Sequence, residues 1–403
     1  MLNYGSTAYL KGRFAQQELD TRDKEHSIAG YVIRVPHLSL VAVGNDRTPV
    51  EQICALVDAL HWRRRVGNDN QELTFCIYGR GESDRPDRLV EDAISTLFSS
   101  FNESERKTLR VLKDDQPTNL TAPKFDGQNA KWKTDLSNRE GEPLPVLASE
   151  LLRIAEVPSF RWYRNVTEKG FSGRIEGLEV CKLAPKTSEI VFSVGNPGIT
   201  GNVSEARRRF IELAGGKEEV FYGADQLQEA AAFVKLLAVD RESGPLRNVV
   251  REHHLESRIL RQATRVSIEG IGSVEPVIDH ERLPFQFPTL WSSADSPRLI
   301  DVLGRIGKTG KTPWVLELKE FGPGGQGQYY RHGIAQAVLY RHFVRSAKDL
   351  HFWFEKFDLE PRNCQAAVVF PKLQGKNAPK LREDHKAIAQ MFDVHIVELA
   401  DEQ

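Results

Sequence analysis

The sequence predicts an α/β protein in three parts. Three observations carry that expectation. Residues 31–112 alternate strand-like and helix-like stretches, the pattern of a parallel α/β layer. From Ser159 to Val194 the chain turns β-rich. Residues 246–403 run helix, β region, two short strands, helix, and a closing strand, helix and strand, an αβββαβ order. The expected divisions are an N-terminal α/β part over 1–112, a linker over 113–146, a β-rich middle part over 147–243 and a C-terminal part over 244–403.

Composition sets the outer limits. With 403 residues the chain exceeds one compact core. It is 40% hydrophobic and 28% charged, as soluble globular proteins are. A formal net charge of −1 excludes a strongly basic nucleic-acid binder on total charge, but leaves room for a local basic groove. The four cysteines, Cys54, Cys76, Cys181 and Cys364, are far apart and form no CxxC pair. That speaks against a disulfide framework and against structural zinc. No apolar run reaches the ~18–20 residues of a membrane helix, and the first residues lack a signal-peptide pattern. A cytoplasmic protein with no membrane partner is expected.

The elements follow in order. Gly30-Tyr-Val-Ile-Arg-Val-Pro36 and His37-Leu-Ser-Leu-Val-Ala-Val43 are rich in β-branched residues and read as strands. Val50–Arg65 places Ile53, Leu56, Val57 and Leu60 at helical spacing. Glu72-Leu-Thr-Phe-Cys-Ile-Tyr78 is a third strand. Ser83 or Asp84 is placed to cap the helix that runs to about Ser100. In open α/β sheets, small ligands sit at the carboxyl ends of the strands, here Gly44–Thr48 and Gly79–Ser83. The run Val41-Ala-Val-Gly44, Thr48-Pro49 and Phe75–Tyr78 resembles the Rossmann-like CARF sensor domains. That resemblance implies a small-molecule activator, a cyclic oligoadenylate, at the N-terminal part. The alternative is a substrate-positioning or homo-oligomer-forming layer. Residues 113–146 are polar with scattered Pro, Gly, Asn and Asp, hence the linker. In the middle part, Phe160–Tyr163, Gly173–Leu183 and Glu189–Val194 read as strands, and Val203–Ala214 and Ala224–Val239 as helices.

The chemistry concentrates after residue 246. Leu246–Gln262 reads as a helix with Glu252 and Glu256 four apart on one face. Arg298-Leu-Ile-Asp-Val-Leu303 reads as a strand holding Asp301 among apolar residues. Thr312–Glu320 reads as the next strand, with Glu317 and Lys319 leaving the same face. By itself Glu317-Leu-Lys319 fits an ordinary half-exposed strand. Asp301 argues otherwise, because Asp is depleted in strands and costly to bury unpaired. Two carboxylates facing an ammonium are the minimum set for holding a divalent metal at a phosphodiester. Such an ion neutralises phosphoryl charge and acidifies water, and Mg²⁺ or Mn²⁺ prefers oxygen ligands. Asp301, Glu317 and the Leu318 carbonyl would supply them, with Glu256 or Glu252 closing the ring. Lys319 would orient the attacking water or meet the developing charge.

The last long helix, Tyr329–Ser346, carries Gln336 and Tyr340 four apart. Arg331, Arg341, His342 and Arg345 on it, with Lys308 and Lys311 in the Gly304–Thr312 turn, are candidate phosphate contacts. That turn holds two Gly-Lys-Thr triplets but no P-loop. The required first glycine is replaced by Val302 in one frame and Arg305 in the other. His253 and His254 are adjacent, point to different helix faces and make a poor metal pair.

Glu256 in Leu255-Glu-Ser-Arg-Ile259, Asp301 in Leu299-Ile-Asp-Val-Leu303, and Glu317 with Lys319 in Leu316-Glu-Leu-Lys319 together resemble the PD-(D/E)XK nuclease superfamily. Gln336-Ala-Val-Leu-Tyr340 is similar to the branch with RecB and phage-type exonucleases. The resemblance covers residues 246–403. One departure is that no Pro directly precedes Asp301, Pro297 lying four residues back. It implies a restriction-endonuclease-like core and a Mg²⁺- or Mn²⁺-dependent nuclease acting on DNA, in anti-phage defence or DNA processing. The implied metal ligands are Glu256, Asp301, Glu317 and Leu318. The implied catalytic set is Glu256, Asp301, Glu317, Lys319, Gln336 and Tyr340. Two alternatives stand beside it: a ligand-gated nuclease, and a non-catalytic nucleic-acid-binding or regulatory protein in which these residues form a structural ion network.

Overall fold

Strand pairing in the computed structural model makes the chain a mixed α/β protein. The structure describes residues 18–20 and, with internal gaps, 31–127, 136, 143–194, 204–278 and 287–399. The expected ligand edges Gly44–Thr48 and Gly79–Ser83 and much of the 113–146 linker fall outside the described residues.

The first part contains β1 (Glu18–Asp20), β2 (Tyr31–Val35), β3 (Leu38–Val43), α1 (Pro49–Arg65), β4 (Leu73–Ile77), α2 (Arg85–Ser99), β5 (Leu109–Lys113) and β6 (Gln116–Pro117). They form one sheet in sequence order, and β3, β4 and β5 run parallel. Right-handed crossovers between sequential neighbours put both helices on one face, where α1 and α2 pack together. Every described side chain from Ile53 to Leu60 is buried. A helix buried all round lies between two layers, and its second partner comes from the far end of the chain. The sequence reading missed β5, which completes the parallel layer.

The middle part contains α3 (Val146–Ala155), β7 (Phe160–Arg164), β8 (Phe171–Ile175), β9 (Leu178–Leu183), β10 (Ile190–Ser193), α4 (Ser204–Leu213), β11 (Glu219–Tyr222) and α5 (Leu227–Ser243). Its five strands form an antiparallel sheet with its own apolar core, built from Phe160, Trp162, Phe192, Phe210 and Phe233 among others. Helix α3 and strand β11 add to the elements read from the sequence.

The C-terminal part contains α6 (Arg251–Leu260), β12 (Val266–Ile268), β13 (Gly272–Pro276), β14 (Pro288–Thr289), β15 (Arg298–Leu299), β16 (Val302–Ile306), β17 (Pro313–Leu318), α7 (Gln326–Ser346), α8 (His351–Glu355), β18 (Gln365–Pro371), α9 (Ala378–Met391) and β19 (His395–Leu399). The main sheet runs β12-β13-β16-β17-β18-β19. Pairing is antiparallel up to β17, then parallel for β17–β18 and β18–β19. One face carries Trp314, Leu316 and Leu318 against Leu255 and Ile259 of α6. The other carries Val315 and Val368 under α7, and this cluster continues into Leu56, Leu60, Phe75 and Phe101 of the first part. Phe101 meets Phe392 with ring centroids 4.4 Å apart. No described helix is long and apolar enough to cross a membrane.

Three expectations need correction. The stretch 173–183 is not one strand but the hairpin of β8 and β9, turning at Glu176 and Gly177. The stretch 298–303 is not one strand. Leu299 pairs with Pro288 in a separate two-stranded ladder, and the main sheet resumes at Val302, so Asp301 sits at the break. The turn is also shorter than 304–312, because Gly304 and Arg305 lie inside β16.

Candidate metal centre

Register brings the acids together. Val302 pairs with Leu316 across the β16–β17 ladder. One more step sets Asp301 opposite Glu317, where like charges disfavour each other. The Leu318 backbone N–H donates to Asp301 Oδ2 at 2.8 Å, tying the break to the end of β17. Lys319 follows on the same face as Glu317. Its Nζ donates to Glu317 Oε1 at 2.6 Å and to Glu252 Oε1 of α6 at 2.8 Å. Carboxylate oxygens of Glu252, Asp301 and Glu317 all lie within 4.8 Å of one another.

This is not a solvent-facing strand edge. β17 is flanked on both sides, and Glu317 and Lys319 are 2% and 5% exposed. Burial, then the Glu317 carboxylate, push the Asp301 carboxyl well above its usual range. Lys319 pulls the other way, and Glu252 and Glu256 add to the push. Burial works to lower the Lys319 ammonium, but Glu317, Glu252 and Asp301 more than reverse it and hold it above the ordinary lysine range. Three carboxylates against one ammonium leave two negative charges uncompensated when all are ionised. A divalent cation matches that deficit. The donors are all hard oxygens, and opposite ligands of Mg²⁺ stand about 4.2 Å apart.

The sequence left Glu252 and Glu256 as alternatives and favoured Glu256 as the implied ligand. The structure groups Glu252, not Glu256, with Asp301 and Glu317. Glu256 is buried one turn deeper, with Oε2 2.8 Å from His253 Nδ1. It also neighbours Tyr163, whose hydroxyl is pushed up to about 12 by burial and by the Glu256 charge. Glu252, in the first turn of α6, is the acid that reaches Lys319 at the end of β17.

Helix α7 covers the site from the other side. Gly333 lies against Lys319: a Cβ there would be 2.8 Å from Val368 Cγ1 and 3.1 Å from Lys319 Cγ. A glycine inside a helix costs about 1 kcal/mol relative to alanine, and that cost is the signal in the sequence that marks Gly333. Gln336 is half-buried one turn further on. Tyr340 is buried in the apolar core shared with the first part.

The expected phosphate contacts divide differently. Arg341 donates from Nη2 to the Phe392 carbonyl at 2.6 Å and from Nη1 to the Asp393 carbonyl. Arg345 Nε donates to the Cys364 carbonyl at 2.8 Å, and His342 Nε2 lies 2.8 Å from the Pro123 carbonyl oxygen. The two arginines secure the end of α9 and the start of β18, at the opposite end of the parallel strands from Glu317. Lys308 and Lys311 sit beyond the start of β17 and so are also remote, by roughly 20 Å of extended strand. The side chain of Arg331 falls outside the described residues.

Comparison with known proteins adds no relative: no family model, no curated protein and no solved structure significantly matches the chain.

Proposed function

We propose that this chain is a divalent-metal-dependent nuclease of the PD-(D/E)XK kind, hydrolysing phosphodiester bonds with DNA as its expected substrate. One observation carries the reading: Asp301, Glu317 and Glu252 converge around Lys319 at the end of a central strand. The order of the C-terminal part supports it, with an acid-bearing helix before an antiparallel-then-parallel sheet. It supports reading this part as the αβββαβ core that the resemblance implies.

Asp301 and Glu317, facing each other across two strands, would hold the ion, with Glu252 closing the set from α6. A bound Mg²⁺ or Mn²⁺ supplies Lewis acidity and a water of lowered pKa. Lys319, fixed by two carboxylates and braced by Gly333, presents an ammonium to the attacking water or to a phosphoryl oxygen. Asp301 keeps its orientation through the Leu318 N–H. Gln336, three residues after Gly333 and half-buried, would touch the substrate.

The test is incubation of the protein with linear DNA, circular DNA and RNA, each with Mg²⁺, Mn²⁺ or EDTA. Metal-dependent cleavage of DNA is expected, and cleavage of the circle would make it an endonuclease. No cleavage of any nucleic acid with either metal contradicts the reading and favours a structural ion network. Cleavage that appears only with a cyclic oligoadenylate would assign a gating role to the first part.

A further inference from the structure

The β8–β9 hairpin ends in Glu176 and Gly177, both with left-handed backbone, φ of 47° and 76°. Its tip lies on α6. A Cβ built on Gly177 would stand 1.9 Å from the His253 carbonyl oxygen. Only glycine permits both that φ and that approach. The Glu176 carboxylate then runs along the helix. Its Oε2 is 2.9 Å from His254 Nε2, and its Oε1 accepts from Arg261 Nη2 at 2.6 Å. His254 and Arg261 are seven residues apart, so one carboxylate spans two turns of a single face.

The hairpin is itself held. Arg241, near the end of α5, donates from Nη2 to the Glu176 carbonyl at 3.0 Å and from Nη1 to the Leu246 carbonyl. Its guanidinium is pushed down to about 10 by burial, against the charges of Glu176 and of Glu320, the residue after Lys319. Tyr163 of β7 is buried in the same apolar cluster as Leu255 and Ile259 of α6.

Helix α6 needs such support. It has ten residues, and helices that short are not stable alone. Glu252 stands in its first turn, where helices fray most easily. The hairpin touches His253 and His254, the next two residues.

We infer that the Glu176–Gly177 hairpin is a positioning device for the metal centre, fixing α6 so that Glu252 reaches Lys319 and Glu317. The role of the middle part follows: through one hairpin it sets whether the third carboxylate is in place. The inference rests on the proposed metal centre. Glu176 and Gly177 act through α6 and touch neither ion nor substrate.

Three variants test it: Gly177→Ala, Glu176→Ala and Glu176→Gln. Two readouts are needed, hydrogen exchange of residues 251–260 without metal, and Mn²⁺ affinity by titration calorimetry below the unfolding temperature. Gly177→Ala and Glu176→Ala should speed exchange in α6 by about tenfold or more, with β17 and β18 unaffected. Mn²⁺ affinity should fall by about 10- to 100-fold, as for removed partners of metal ligands. Glu176→Gln keeps an acceptor for Arg261 and should retain most of both. If Gly177→Ala does not fold, the two Glu176 variants decide. Folded variants with wild-type exchange in α6 and wild-type Mn²⁺ affinity overturn the inference. A wild-type protein that binds no Mn²⁺ overturns the metal centre instead, while the exchange measurement still decides whether the hairpin holds α6.

Discussion

At the end of β17 three carboxylates share one ammonium, and the least comfortable is Asp301. Its folded pKa is raised, chiefly by burial and by Glu317. A carboxyl so raised favours the folded state below the unfolded carboxylate range and loses that contribution as pH climbs through the folded value. Asp301→Asn keeps an oxygen for the Leu318 N–H and removes the charge. In EDTA its stability should equal or exceed wild type, with the advantage growing as pH climbs above the unfolded carboxylate range. Thermal unfolding across that range checks this, and a marked loss of stability would favour the structural-network reading. Glu252→Gln should weaken Mn²⁺ binding by about 10-fold or more, and Glu256→Gln by less than about threefold. Equal losses in calorimetry would restore Glu256 as a ligand. The sequence could not choose between these acids, because residues four apart share a helix face. What separates them is how α6 lies against β17, an element distant in the chain.

Among elements, the strands with a strong local pattern were legible. His395–Leu399 was read with the bounds it has in β19, and the Glu317–Lys319 strand was placed to within two residues. The break at Asp301 was not legible, because it depends on Leu299 pairing with Pro288, a long-range ladder that no local pattern encodes. Helix α7 offers a sharp test. In Gly333→Ala, the helix gains about 1 kcal/mol of propensity, while overpacking against Val368 and Lys319 costs about 1–3 kcal/mol. Net stability should fall by about 0–2 kcal/mol. Displacing Lys319 by a fraction of an ångström to an ångström should cut cleavage by up to about 10²-fold. Kinetics beside a melting curve separate the two effects. An undiminished rate would show that Lys319 tolerates the movement.

Across the whole molecule, the predicted boundaries separate the first part from the last, yet one apolar cluster crosses them. Ile334, Val338, Tyr340 and Phe343 of α7 share it with Leu56, Leu60, Phe75 and Phe101. Phe125 adds contacts to Trp291 and Phe343, with centroids 5.0 and 5.1 Å apart. His332 of α7 also lies 3.8 Å from buried Asp58 of α1. Residues 244–403 expressed alone should therefore expose the outer face of α7 and lack a cooperative unfolding transition. A sharp transition in that fragment would mean its core is self-sufficient. Amphipathic spacing showed in the sequence that these helices bury a face, but not that they bury it against each other. The central claim is that the acids around Lys319 hold a metal that cuts nucleic acid. The most direct measurement compares wild type with Glu317→Gln, confirmed folded by circular dichroism, on DNA with Mn²⁺. Cleavage by the wild type and none by the variant is the expected result. Equal cleavage by both would contradict the claim.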